Sequence, residues 1–237
     1  MRKIKAILFD LDGTLYDHEK ARTEALQKLV RVLPQKVEFR PFLNTYNKVI
    51  HELRRQHEDM SIFNKEKVFG LVISCLNIRS NGNLIRKLAS SYWNELLKRV
   101  EPYDDAKLTL ETLKTLGYKM AVVSDGLVKI QLRKLDHMKL KDLFDAYAFS
   151  EEVGINKPNT AVFKLALKRL KVKPSEAVMI GDDLELDLAG AKMLGLKAIL
   201  IKHRKAEPRI SGTSIQMPDF MIRKLEELTG MLKTLQS

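Results

Sequence analysis

The chain has a single cysteine, Cys75, in 237 residues. No intrachain disulfide can form and no multi-cysteine zinc site can be built, so a reducing, cytoplasmic compartment is the expected setting. Histidine is scarce too, five in all, and none stands at His-x-x-x-His spacing with a third ligand, which argues against a zinc hydrolase. No apolar run approaches the roughly 20 residues that cross a bilayer. The basic start, Met1-Arg2-Lys3-Ile4-Lys5, has the charge of a signal peptide. The apolar run behind it stops at Asp10 without a small-residue cleavage site, so no secretory leader and no membrane partner are expected. Low-complexity tracts and internal repeats are absent.

Acid is the minority charge, 30 Asp plus Glu against 42 Lys plus Arg, for a net charge of +12. Such an excess attracts phosphorylated metabolites, nucleic acid or acidic lipid. The charges are mostly interleaved, as on a solvated surface. No helix-turn-helix, zinc finger or aromatic RNA-binding motif stands beside them, so nucleic acid is not expected as a partner. The balance of 45% hydrophobic and 30% charged residues belongs to a soluble globular protein with a sizeable core.

Ile4 to Phe9 is an apolar run that ends abruptly in Asp10-Leu11-Asp12-Gly13-Thr14, the pattern of a buried strand. Residues from about 18 to 100 then show helical periodicity, with faces Ala21, Ala25, Leu29, Val32, Leu33; Leu43, Tyr46, Val49, Ile50, Leu53; Val68, Leu71, Val72, Cys75; and Leu84, Leu88, Trp93, Leu96. Pro34 and Asn81-Gly82 break this stretch. From Pro102 strands and helices alternate. Asp104 is the expected N-cap of a helix closing near Gly117, and strands are expected at 120–123, 146–149, 178–180, 198–201 and 220–222. A helix over 184–194 closes at Gly195. Alternation of this kind predicts an α/β fold, a Rossmann-like parallel sheet with helices on both faces. Residues 1–15 and 100–237 would form this core, and residues 16–99 an inserted all-helical domain.

In an open parallel sheet, ligands bind beyond the carboxyl ends of the strands. Asp10 and Asp12 follow the first strand. Ser124, Asp125 and Gly126 follow the second. Asp182 and Asp183 follow the strand at 178–180, with Asp187 one turn later, and Lys157 precedes the helix near 159. Carboxylates crowded together raise one another's pKa unless a cation joins them. An oxygen-only donor set suits Mg²⁺. Metal, lysine and the N–H groups of glycine-containing turns would receive a phosphoryl dianion, and an Asp beside the metal could attack phosphorus.

Asp10-Leu11-Asp12-Gly13-Thr14, Ser124, Lys157-Pro158 and Gly181-Asp182-Asp183-x-x-x-Asp187 follow one another in order. Together they resemble the four motifs of the haloacid dehalogenase-like hydrolase superfamily, in its phosphoglycolate phosphatase-like branch with a helical cap after the first core strand. Gly154-Ile155-Asn156 and Ala189-Gly190-Ala191-Lys192-Met193-Leu194-Gly195 add to the likeness. The resemblance implies that Asp10 is the nucleophile and a Mg²⁺ ligand, and that Asp12 is the general acid/base and lends its backbone carbonyl to the metal. It further implies that Ser124, the backbone of Asp125 and Lys157 hold the phosphoryl group, and that Asp182 binds Mg²⁺. Asp183 and Asp187 would stand behind the ligands or reach the metal through water.

Each residue also has a plain structural reading: Asp-x-Asp-Gly as an Asx turn, Ser124 as a helix cap, Lys157 as a surface lysine, Asp183 and Asp187 as partners of a helix dipole. Their co-occurrence favours the catalytic reading. Asp12 favours phosphoryl transfer over carbon–halogen cleavage, because an alkoxide leaving group needs a proton and a halide does not. A Mg²⁺-dependent phosphatase of small phosphate monoesters is therefore expected, working as a monomer or homodimer. A phosphomutase would use the same residues. In the helical insertion, Tyr16, Asp17, His18, Arg22, His51, Arg54 and Arg55 are candidates to meet substrate, with solvated helix faces as the alternative, and Trp93 fits a core position.

Overall fold

In the computed structural model, which describes residues 3–56, 60–203 and 217–234, the N-terminal apolar run becomes the inner strand β1 (Ala6–Phe9). Its neighbours are β2 (Lys119–Ser124) and β4 (Ala177–Gly181), flanked by β3 (Ala146–Phe149), β5 (Lys197–Ile201) and β6 (Phe220–Ile222). The order is β3-β2-β1-β4-β5-β6, all parallel. Successive side chains on a strand point to opposite faces. Ala6, Ile7, Leu8 and Phe9 are all 0% exposed, so both faces are covered, which explains why the strands read as unbroken apolar runs. One face carries a cluster of Ala6, Leu8, Ala121, Val123 and Met179 against Val162, Phe163 and Ala166.

The chain divides into two compact units, Met1–Asp17 with Glu101–Ser237, and His18–Val100. The second unit is helical: α1 (His18–Val30), α2 (Phe39–Gln56), α3 (Lys65–Cys75) and α4 (Gly82–Leu97). Helix α4 packs on α1 and α3, and α2 packs on α3. Asn64 and Asn81 cap α3 and α4 by accepting from the Lys67 and Leu84 N–H groups, so Asn81-Gly82 opens a helix and does not merely interrupt the chain. Two faces differ from expectation. Helix α1 ends before Val32, which is exposed. Helix α3 buries Val68, Phe69, Val72 and Ile73, while Leu71 and Cys75 are exposed. A core of Tyr46, Phe69 and Tyr92 fills this unit. Trp93 meets Tyr92 edge-on at 5.0 Å, and the buried Lys65 ammonium lies over the rings of Tyr92 and Trp93 and donates to the Tyr46 hydroxyl.

In the sheet unit, α5 (Ala106–Thr115) leads into β2, α6 (Val128–His137) joins β2 to β3, and α7 (Ser150–Val153) and α8 (Ala161–Leu170) join β3 to β4. The N-cap of α5 is Asp105, not Asp104, and its side chain makes no capping bond. The helix expected over 184–194 is a six-residue π-helix, Leu184–Ala189, followed by the single turn α9 (Gly190–Lys192). In this π turn the Leu188 N–H reaches back five residues to the Asp183 carbonyl at 3.3 Å, and the Asp187 carboxylate beside it is buried. Helix α10 (Leu228–Thr234) ends the described chain. Between the last two strands the sequence suggests an irregular stretch over 202–217, of which residues 204–216 lie outside the described residues. No described helix is long and apolar enough to cross a membrane.

Candidate active site

Strand β1 is paired on one side with β2 and on the other with β4, so the chain reverses its winding at β1. A crevice opens at the carboxyl ends of the strands at such a point. Asp10 follows β1, Ser124 ends β2 and Asp182 follows β4. Two glycines bring these ends together. Gly13 has φ +103°, and a Cβ there would stand 2.5 Å from an oxygen of Asp182. A Cβ on Gly181 would stand 2.3 Å from Asp187 Oδ2. Neither position admits a side chain unless a carboxylate moves.

Lys157 is the centre of the site. Its ammonium donates to Asp10 Oδ1 at 2.7 Å, Asp187 Oδ1 at 2.6 Å and the Val123 carbonyl at 3.3 Å. The plain reading of Lys157 as a surface lysine is excluded, because the residue is 6% exposed. Burial works against its charge, but Asp10, Asp187 and Asp125 together outweigh it and hold the ammonium well above the ordinary lysine range. The Asp125 carboxylate accepts from the Lys157 backbone N–H at 2.9 Å. That places the side chain of Asp125 behind Lys157, as a brace for the loop.

Asp10, Asp182 and Asp187 each offer an oxygen, and the three atoms lie within 4.8 Å of one another. Lys157, helped at Asp182 by Lys202, does not neutralise three carboxylates. Burial raises Asp10, with Asp12 adding to it and Lys157 opposing. Burial and the charge of Asp10 push Asp182 up to about 7. Asp187 is held well above its usual value, first by burial. Asp10 Oδ2 is buried and has no hydrogen-bond partner among the described residues. Both oxygens of Asp187 are occupied, one by Lys157 and the other by the Asp183 N–H at 3.1 Å. Asp187 therefore steadies Lys157. Asp183 Oδ1 caps the π-helix through the Glu185 and Leu186 N–H groups, so its side chain serves the helix start, the plain reading.

The imbalance has a measurable consequence. The Asp182 carboxyl sits near 7 in the fold against about 3.9 in an unfolded chain. The folded state binds more protons between those values, so stability is greatest below pH 4 for this group and falls as pH rises toward 7. The upper limit of the loss is about 4 kcal/mol. The metal-free protein should melt several degrees lower at pH 8 than at pH 5.5, and Mg²⁺ should raise the melting temperature more at pH 8 than at pH 5.5. A Mg²⁺ effect independent of pH would contradict the excess negative charge.

Asp12 is held apart from this trio. Its carboxylate accepts from the Lys134 ammonium at 2.7 Å on each oxygen and from the Tyr16 hydroxyl at 2.7 Å. Tyr16 is fully buried in the sheet unit and is not on a helix face of the insertion. Gln131 donates to the Ser124 hydroxyl at 2.7 Å and to the Asp125 carbonyl at 2.8 Å. Sequence reasoning missed Gln131 and Lys134. Their signal was available: on α6 they share the inward face with Ile130 and Leu135, and polar residues at core positions of an amphipathic helix call for a partner. In the helical unit, Arg22 pairs with Glu19 and leans on the Tyr46 ring, while His51, Arg54 and Arg55 are exposed on α2.

The family model for haloacid dehalogenase-like hydrolases matches residues 7–201. A glyceraldehyde 3-phosphate phosphatase of Pyrococcus furiosus is 32% identical over 98% of this chain and 95% of its own. A ribulose-1,5-bisphosphate 5-phosphatase of Halopiger xanaduensis is also 32% identical, over 96% of this chain and 98% of its own. Among solved structures, a HAD-hydrolase of Bacillus subtilis bound to magnesium has a TM-score of 0.80 over 98% of this chain and 99% of its own, at 22% identity. The chain belongs to the haloacid dehalogenase-like hydrolases, and its curated relatives there are phosphatases.

Proposed function

We propose that the protein is a Mg²⁺-dependent phosphatase that hydrolyses small phosphate monoesters through an aspartyl phosphate on Asp10. The observation that carries this reading is Asp10 itself: one oxygen fixed on Lys157, the other buried without a partner, at the carboxyl end of the inner strand. The group has oxygen donors only and an excess of negative charge, which fits a hard divalent cation. Asp10, Asp182 and the backbone carbonyl of Asp12 would hold Mg²⁺. When bound, the ion supplies charge neutralisation at the phosphoryl oxygens.

The chain's own residues supply the rest. Asp10 attacks phosphorus in line, and Lys157 neutralises charge on Asp10 and the phosphoryl group. The Ser124 hydroxyl accepts from Gln131 at 2.7 Å and donates to the Asp125 carbonyl at a long 3.4 Å; it would turn that proton to a phosphoryl oxygen when substrate binds. Asp12 gives a proton to the leaving alcohol and later takes one from water. The helical unit of residues His18–Val100 serves as a cap that limits substrate size. The named activities of the Pyrococcus and Halopiger relatives point to sugar phosphates of three to five carbons. One cysteine suits a reducing, cytoplasmic setting.

Phosphate release from a panel of phosphorylated metabolites, with glyceraldehyde 3-phosphate among them, tests the reading. Turnover should require Mg²⁺, vanish with chelator, and return poorly with Ca²⁺, whose larger and looser shell misplaces the nucleophile. Phosphoryl return to substrate with no free phosphate would identify a mutase. Full turnover in excess chelator would overturn the proposal.

Asp12 can be tested through the leaving group. An alkyl alkoxide needs a proton and a nitrophenolate does not. Asp12→Asn should slow the first turnover of alkyl phosphates by roughly 10²–10⁴-fold and spare that of a nitrophenyl phosphate. The aryl substrate should then show a stoichiometric burst before a slow steady state. Equal loss for both would remove Asp12 as the acid.

A further inference from the structure

A buried ammonium is costly unless it is paired, and Lys134 is such a group: its side chain is 3% exposed. It lies on the core face of α6, far in sequence from every motif residue it touches. Its Nζ bridges both oxygens of Asp12, each at 2.7 Å, and stands 5.8 Å from the Tyr16 ring. Tyr16 donates to Asp12 Oδ1 from the same side. The ammonium anchors the carboxylate head, and the Tyr16 hydroxyl, which bonds Oδ1 alone, singles out one oxygen and so sets the turn about the Cβ–Cγ bond. The Asp12 side chain is nonetheless 22% exposed. The group is thus held by protein and still reached by solvent, as proton transfer requires.

One turn earlier on the same helix, Gln131 bonds Ser124 and Asp125. Residues three apart on a helix share a face. Helix α6 therefore fixes the proposed acid/base and the proposed phosphate-binding hydroxyl through neighbouring side chains. Both lie within the sheet unit.

We infer that Lys134 is a positioning residue for Asp12: it sets the orientation from which Asp12 passes protons and touches no reacting atom itself. The inference rests on the reading of Asp12 as the acid/base. It assigns a function to a lysine that the four motifs do not include.

The test is a cycle of Lys134→Met, Asp12→Asn and the double variant, assayed with an alkyl and a nitrophenyl phosphate in single turnovers. Lys134→Met should slow the alkyl substrate about 10–100-fold, part of what acid catalysis is worth, and the aryl substrate less than about threefold. Removing one partner of a buried pair destabilises a fold, so melting temperatures are measured for all variants. The double variant leaves neither charge alone, and it should match Asp12→Asn in rate, because a residue that acts through Asp12 has nothing left to position. Lys134→Arg, which keeps the charge and two donors, should recover most of the alkyl rate.

Failure of the two readings looks different. If Asp12→Asn itself shows no leaving-group selectivity, the assignment of Asp12 falls and the inference with it. If Asp12→Asn is selective but Lys134→Met slows both substrates equally, or slows the double variant further, Lys134 is a structural cation and the inference alone is overturned.

Discussion

Asp10→Asn should abolish turnover, by on the order of 10⁴-fold or more, while making the metal-free fold more stable. Both effects come from the same charge. The Asp10 carboxylate shares a buried space with Asp182 and Asp187, and its charge helps push the Asp182 carboxyl to about 7. The amide keeps one oxygen for Lys157, at the position where Oδ1 now accepts at 2.7 Å. It replaces the partnerless Oδ2 with a neutral NH₂, so the repulsion within the trio drops. An amide is a poor nucleophile and a weak metal ligand, so chemistry stops and Mg²⁺ affinity falls. Thermal unfolding at pH 8 without metal should show a higher melting temperature than the parent, the pattern of an active site that holds charge at the expense of stability. Rapid-quench assays should find no phosphoenzyme. Near-normal turnover, or a phosphoenzyme trapped on the variant, would remove Asp10 as the nucleophile.

The elements that carry the site were legible because they obey simple patterns. Strands buried on both faces must be apolar throughout, and acids placed at the end of such a strand have few structural reasons to be there. Asp10 and Asp182 stand out in the sequence for that reason, and Ser124 and Lys157 stand out through the motifs that accompany them. The residues behind them did not. Lys134 and Gln131 sit in a helix whose other polar residues face water, and only the fold turns these two inward. Asp183 looked like a further acid of the site, whereas its carboxylate caps the next turn; an acid in that place fits either use, and spacing alone does not choose. Helix α3 shows the same limit in packing. Its apolar run Val68-Phe69-Gly70-Leu71-Val72-Ile73 is wide enough to offer two faces, and burial selects Phe69 and Ile73 over Leu71 and Cys75. A short apolar stripe predicts a helix more firmly than it predicts the helix's rotation.

Lys157→Met separates catalysis from metal binding more sharply than any other change in the site. The ammonium now lies between Asp10 and Asp187 at 2.7 and 2.6 Å, and all three side chains are at most 6% exposed. Methionine matches its length and removes its charge. Asp10 and Asp187 then face one another with no ammonium between them. Breaking a buried pair in this way costs about 3–5 kcal/mol, and the metal-free variant should melt far below the parent. The loss should grow as pH rises, because protonation relieves the repulsion and each acid is already held above its ordinary value. With Lys157 gone, Lys202 beside Asp182 is too little positive charge for three acids, so Mg²⁺ should bind more tightly than to the parent and recover a larger share of the stability. Turnover should not recover. In the proposed mechanism Lys157 orients Asp10 for attack and meets the phosphoryl charge, so with it gone the rate should stay down by on the order of 10³-fold at saturating Mg²⁺. Melting curves with and without Mg²⁺, beside phosphate release on the same samples, read both effects. A smaller Mg²⁺ shift than in the parent would show that Lys157 helps to assemble the metal site and does not compete with it. Recovery of turnover by Mg²⁺ alone would reduce Lys157 to a counter-ion.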